Sequence, residues 1–215
     1  MTNKNNQTAA IFDLDETLIG SGRKLQADVI QAFARLGYTI PPEQIGKNWY
    51  KLAESYGISK EAFDEAFDKR KTWEQSLRDG EVPIFPETYK VLDELGQRGI
   101  RASLLSKSIP EYTQQKLDYI DLGKYFEQVL TIHPKEPSKD PAAIEIIRKM
   151  NPSTIQRAYF IGDKEEDVVV EKAVNQEFKG YELTAGGIYV NRQGEQLNIY
   201  PSVSSLEGIL NIIGD

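Results

Sequence analysis

Two carboxylates close an apolar run near the start of the chain. In AAIFDLDETLIGSG, residues 9–22, Asp13 and Asp15 stand two apart, with Thr17 and two glycines behind them. Like charges in close quarters resist ionising together. A short hydrophobic stretch that aims both at one place therefore sets up charge chemistry, unless the pair is only a turn or a helix cap. Further on come Ser106 in LLSKS, Lys139 in SKDP, and GDKEED, which carries Gly162, Asp163 and Asp167. Each has an ordinary reading alone: Asp163 as a turn residue after glycine, a lysine as a solvated charge. In the order D-x-D-x-T, Ser, Lys, G-D-x-x-x-D, chance is a poor explanation.

The elements that must position these residues follow from the apolar pattern. AAIFDL (9–14), IRASLLS (100–106), QVLTI (128–132) and AYFIGD (158–163) are brief, apolar and closed by a polar residue, as buried parallel strands are. Between them, ETYKVLDELGQRG sets Val91, Leu92 and Leu95 at helical spacing and ends on Gly99, while DPAAIEIIRKM does the same with Ala143, Ile144 and Ile147 after an Asp140-Pro141 start. Strands alternating with helices predict an α/β fold, a Rossmann-like core with a mainly parallel sheet. In such sheets ligands bind beyond the carboxyl ends of the strands, which is where Asp13, Asp15, Ser106 and Asp163 fall. One region breaks the alternation. Residues 20–82 carry only helical periods and hold both tryptophans, Trp49 and Trp73, with Tyr50, Tyr56, Phe63 and Phe67. The expected organisation is a core of residues 1–19 and 83–215 with a small α-helical domain, residues 20–82, inserted. Its aromatics either build a small core or face a ligand.

Composition narrows the chemistry. With 215 residues, 40% of them hydrophobic, the chain can bury one good core or a core and a smaller accessory domain. A net charge of −7 repels nucleic-acid backbones and anionic membranes on average, so neither is expected as a partner. With no cysteine and one histidine, His133, thiolate sites and histidine metal clusters are excluded. The polar opening MTNKNNQTA lacks the apolar middle of a secretory leader, and no run approaches the roughly 18 apolar residues of a membrane span. An intracellular, cytoplasmic protein is the expectation.

The ordered motifs DLDET, Ser106, Lys139 and GDKEED resemble those of the haloacid dehalogenase-like superfamily, in its phosphoglycolate phosphatase-like branch with a helical cap inserted after the first motif. The likeness runs over almost the whole chain. It implies a phosphatase that hydrolyses a small phosphorylated metabolite through an aspartyl phosphate. A phosphate ester repels an attacking carboxylate, so Mg²⁺ is implied as cofactor to screen both, suited by hard oxygen ligands. By this resemblance Asp13 is the nucleophile and a metal ligand, joined by the backbone carbonyl of Asp15 and a carboxylate of Asp163. Asp167 stands behind them and orients a metal-bound water. Asp15 is the general acid for the leaving oxygen and then the base for water. Ser106 and Lys139 bind the transferring phosphoryl group and stabilise its charge.

Several positions depart from the family pattern. Glu16 stands where glycine is common, and Asp140 follows Lys139 where proline is usual. Lys107 replaces a frequent asparagine; it either adds positive charge at the phosphate or points to solvent. Lys135, four residues before Lys139, is a rival for the lysine role. Arg23 and Lys24 either meet a second anionic group or are simply solvated. The presence of Asp15 speaks against a dehalogenase. Two alternatives stay open: a phosphomutase of the same fold, which returns the phosphoryl group to a sugar, and a catalytically idle binding protein.

Overall fold

The computed structural model describes residues 8–45, 48–192 and 199–213. The opening residues 1–7, on which the reading of the leader rests, lie outside them, as do Gly46 and Lys47 of one expected helix. By its contacts the chain divides into two compact units, Met1–Ile19 with Ile84–Asp215, and Gly20–Pro83.

The first unit is built on six strands: β1 (Thr8–Phe12), β2 (Arg101–Ser106), β3 (Val129–Thr131), β4 (Arg157–Gly162), β5 (Thr184–Val190) and β6 (Ser202–Val203). They form one sheet in the order β3-β2-β1-β4-β5-β6, with every pairing parallel. The chain winds outward from β1 to one side and then returns to lay β4 on the other, so the order reverses beside β1. That is the switch point at which α/β sheets open a crevice. Phe12 pairs with both Leu104 and Ile161, so Asp13 leaves the sheet level with Leu105 and Gly162. Ala9, Ala10, Ile11 and Phe12 are buried. A strand covered on both faces needs this unbroken apolar run rather than an alternating one.

The second unit is helical, with no strand among its described residues. It comprises α1 (Gly22–Arg35), α2 (Trp49–Ser55), α3 (Lys60–Asp68) and α4 (Trp73–Arg78). The last two share one helical period in the sequence. They separate because Thr72 starts α4 with a capping box, its hydroxyl accepting from the Gln75 N–H while the Gln75 side chain accepts from Thr72 N–H. The aromatics mostly build a core of the unit's own: Phe33 and Phe63 are buried, and Trp49, Tyr56 and Phe67 pack against them. Tyr50 is exposed and donates to Asp64 at 2.7 Å.

The sheet's helices are α5 (Thr88–Gln97), α6 (Pro110–Tyr119), α7 (Asp140–Lys149), α8 (Glu165–Val168), α9 (Glu171–Glu177) and α10 (Ile209–Ile213). The four expected strands lie at β1 to β4. The sequence reading missed β5 and β6. In β5, TAGGIYV, the paired glycines break the apolar run, and their reason is packing: a Cβ on Gly187 would fall 2.7 Å from Val168 Cβ and 2.9 Å from both Val168 O and Tyr200 Cδ1. Strand β5 thus lies directly against α8, the short helix that carries Glu166 and Asp167. Among the described residues no helix is long and apolar enough to cross a membrane.

Candidate active site

Strand β1 delivers Asp13 to the crevice, and the ladder fixes it there: its N–H donates to Ile161 O at 2.9 Å. The carboxylate is buried and meets a buried lysine. Lys139, at the start of α7, places Nζ 2.7 Å from Asp13 Oδ1 and 2.6 Å from Asp167 Oδ1, and donates to Leu105 O at 3.0 Å. Burial alone would pull this ammonium down, but the two carboxylates outweigh it and hold the pKa above its ordinary value. Lys135 of the same loop is exposed, and its N–H donates to His133 Nδ1. Of the two lysines the structure brings Lys139 to Asp13.

Asp13, Asp163 and Asp167 each present a carboxylate oxygen within 4.8 Å of the others. Close approach of Asp167 requires Gly162, where a Cβ would sit 2.3 Å from Asp167 Cβ. Asp167 Oδ2 accepts from the Lys164 N–H at 2.9 Å, whereas Asp163 Oδ1 is buried with no hydrogen-bond partner. Burial raises Asp13 to about 6, Lys139 pulling it down and Asp167 pushing it up. Burial likewise raises Asp163 to about 7, against Lys164 and with Asp13 and Asp167. Three crowded carboxylates, one of them unsatisfied, could hold a hard divalent cation. The side chain of Asp15 is not among them.

Asp15 turns elsewhere. Its two carboxylate oxygens accept from Lys116 Nζ at 2.6 and 2.9 Å, a lysine of α6 that is buried. Asp13, Asp15, Ser106, Lys107 and Lys139 line one cavity of about 250 Å³ together with Pro134, Lys164 and Glu166. Lys107 belongs to this cavity but is not free in solvent: its Nζ lies 2.8 Å from Glu166 Oε2. Burial raises Glu166, yet Lys107 outweighs it and holds the carboxyl below its ordinary value.

The loop after Asp15 turns at Glu16, whose φ of 64° lies in the left-handed region that favours glycine. Glu16 N–H donates to Ile19 O at 2.7 Å and closes the turn. Behind it Arg192 stacks over Phe85 with its guanidinium 3.6 Å from the ring centre, donates to Thr17 O at 3.0 Å, and pairs with Glu87 at 2.8 Å. Thr17 is fully buried. The loop is thus held by Arg192, 175 positions further along the chain from Thr17.

Lys24 differs from both readings offered for it. It is neither solvated nor available to a ligand, but buried within the helical unit, paired with Asp28 and 4.8 Å from the Trp73 ring centre. Arg23 is exposed. Lys116, Lys164, Glu166 and Arg192 were not found from the sequence. For Lys116 a signal exists: with Thr113 and Leu117 it falls on the buried stripe of α6, and a lysine there needs a buried anion.

A parallel sheet that reverses order at a buried carboxylate–lysine centre, with a helical unit inserted in sequence between its first two strands, defines the class: an α/β core with its candidate site at the switch point. The model of the haloacid dehalogenase-like hydrolase family matches residues 10–179, and the chain belongs to that family. A phosphoglycolate phosphatase of Pseudomonas fluorescens is 25% identical over 179 residues, which cover 76% of this chain and 65% of the relative; the chain thus spans just under two thirds of that relative's length. A pyrophosphatase PpaX of Bacillus velezensis is 24% identical over 215 residues, covering 96% of this chain and 94% of the relative. A solved HAD phosphatase from Thermococcus onnurineus superposes with a TM-score of 0.63 at 21% identity, over 96% of this chain and 98% of its own, and shares the fold.

Proposed function

We propose that this chain is a Mg²⁺-dependent phosphatase acting on a small phosphorylated metabolite, with Asp13 as the nucleophile. The observation that carries the reading is Asp13 itself: a buried carboxylate at a strand end, bound to Lys139, with Asp163 and Asp167 crowded against it. Asp13 and Asp163, with the backbone carbonyl of Asp15, would hold the metal. The unsatisfied Asp163 oxygen supports that assignment. Bound there, Mg²⁺ would screen the negative charge of the phosphate from the attacking carboxylate.

The chain's own residues account for the remaining work. An Asp13 oxygen attacks phosphorus and the bond to the leaving oxygen breaks, while Asp15 gives that oxygen a proton. Water then attacks the aspartyl phosphate, giving its proton back to Asp15, and inorganic phosphate leaves with Asp13 restored. Ser106 and Lys139 bind the phosphoryl oxygens, and Lys139 also balances the charge of Asp13. Asp167, tied to Lys139 and to the Lys164 N–H, orients the groups around it. The Gly20–Pro83 unit is assigned the role of cap, which the resemblance implies. The relatives named for phosphoglycolate and pyrophosphate put both compounds first in any trial. Phosphate release should be measured over a panel that includes them, with Mg²⁺, with EDTA, and with Ca²⁺. The expected result is release with Mg²⁺ alone, since Ca²⁺ is larger and tolerates other geometries. Full activity in EDTA contradicts the metal assignment, isomer formation without release selects a mutase, and silence over the panel selects a binding protein.

A further inference from the structure

The site contains two buried lysines, and only one of them belongs to the family motifs. Lys139 serves Asp13 and Asp167. Lys116 lies outside every motif, on α6, with 1% of its surface exposed. An ammonium taken out of water costs several kcal/mol unless it is paired in good geometry, and an apolar residue beside Leu117 and Thr113 would pack there without that cost. What Lys116 gains is Asp15: both carboxylate oxygens accept from its Nζ, at 2.6 and 2.9 Å. A carboxylate held by both oxygens is restricted in its torsions, and this pair holds an Asp15 side chain that is a quarter exposed on the cavity. We propose that Lys116 is a positioning residue, which holds the Asp15 carboxylate in the one orientation from which it transfers protons. The two carboxylates two residues apart are thereby separated in role by two different lysines.

The proposal rests on the phosphatase reading above. Its rival is purely structural: an ion pair that ties α6 to the loop after β1 and does nothing to the chemistry. A double-substitution cycle separates them. Lys116→Met, Asp15→Asn and the double variant are compared with the parent for kcat and KM on the best unactivated monoester of the panel, with thermal melting as the check of fold. Misplacing a catalytic group by about 1 Å costs on the order of 10²-fold. Lys116→Met should therefore lower kcat by about 10- to 100-fold, with KM changed less than about threefold. In the Asp15→Asn background the same substitution should lower kcat by less than about threefold, because there is no acid left to position. Lys116→Gln, which keeps a donor without the charge, should lose less than Lys116→Met, and serves in the cycle should Lys116→Met not fold. An equal loss in both backgrounds, or a kcat for Lys116→Met within about threefold of the parent, overturns the proposal while leaving the phosphatase reading intact. A parent protein that releases no phosphate from any compound overturns both.

Discussion

Asp13 and Lys139 are each buried, and Lys139 supplies the positive charge that offsets Asp13 there. Removing one partner of a buried ion pair costs about 3–5 kcal/mol, because the other charge is left uncompensated. Lys139 compensates two carboxylates, Asp13 at 2.7 Å and Asp167 at 2.6 Å. Lys139→Met should therefore destabilise strongly, and more at pH 8 than at pH 5. The sign follows from linkage: without the lysine, which pulls Asp13 down, the folded pKa of Asp13 rises further, and a carboxylate raised above its unfolded value destabilises increasingly as pH increases. Melting at the two pH values checks this, and an equal loss at both contradicts it. Asp13, Asp15, Ser106 and Asp163 were legible in the sequence because each ends an apolar run, and Lys139 because it precedes a helix start. Lys116 was not, since its partner lies 101 residues away and only its place on the buried stripe of α6 marks it.

At the scale of elements the site depends on how β5 and α8 meet. Glu166 and Asp167 ride on α8, and α8 lies as close to the sheet as it does because Gly187 has no side chain. Gly187→Ala drives a methyl into Val168 and its carbonyl oxygen. Overpacking of this kind costs about 1–3 kcal/mol, and each kcal/mol lowers Tm by about 2–4 °C in a chain of this size. Gly186→Ala is the control, because there the nearest atoms are on the Tyr159 ring, 3.9 Å away, and Tm should scarcely change. Equal effects at the two glycines contradict the packing account. The same contact explains why β5 was missed: GG in the middle of TAGGIYV breaks the apolar run, and its cause is a helix and a tyrosine that local pattern does not contain. Strands β1 to β4 were legible since they are continuous apolar runs, and α3 and α4 merged into one period because the boundary is set by a single capping threonine, Thr72.

For the molecule as a whole, the proposed metal site would couple ion binding to stability through its crowded carboxylates. Asp13 rises from 3.8 to about 6 and Asp163 from 3.8 to about 7, both chiefly by burial. Their contribution to stability is full below the unfolded pKa and is lost as pH rises through the folded values. In EDTA, Tm should therefore fall between about pH 4 and pH 8 by this contribution. Under the proposed assignment Mg²⁺ would bind these carboxylates in their deprotonated form, so it should raise Tm more at pH 8 than at pH 5. Melting curves with and without the ion check both statements; a gain from Mg²⁺ that is larger at pH 5 contradicts them.

The mass of the whole chain provides the most direct test of the central claim, that Asp13 accepts the phosphoryl group. In Asp15→Asn the nucleophile remains, but water has no base to take its proton, and acid–base help of this kind is typically worth about 10²- to 10⁴-fold. With p-nitrophenyl phosphate, whose leaving group scarcely needs an acid, the first step should outrun the second and the covalent species should accumulate. Rapid acid quench of Asp15→Asn with this substrate and Mg²⁺, followed by mass spectrometry, should find one added phosphoryl group, on the peptide that contains Asp13. No label appears in Asp13→Asn. A label on Ser106, or turnover of unactivated esters by Asp15→Asn at the parent rate, contradicts the account.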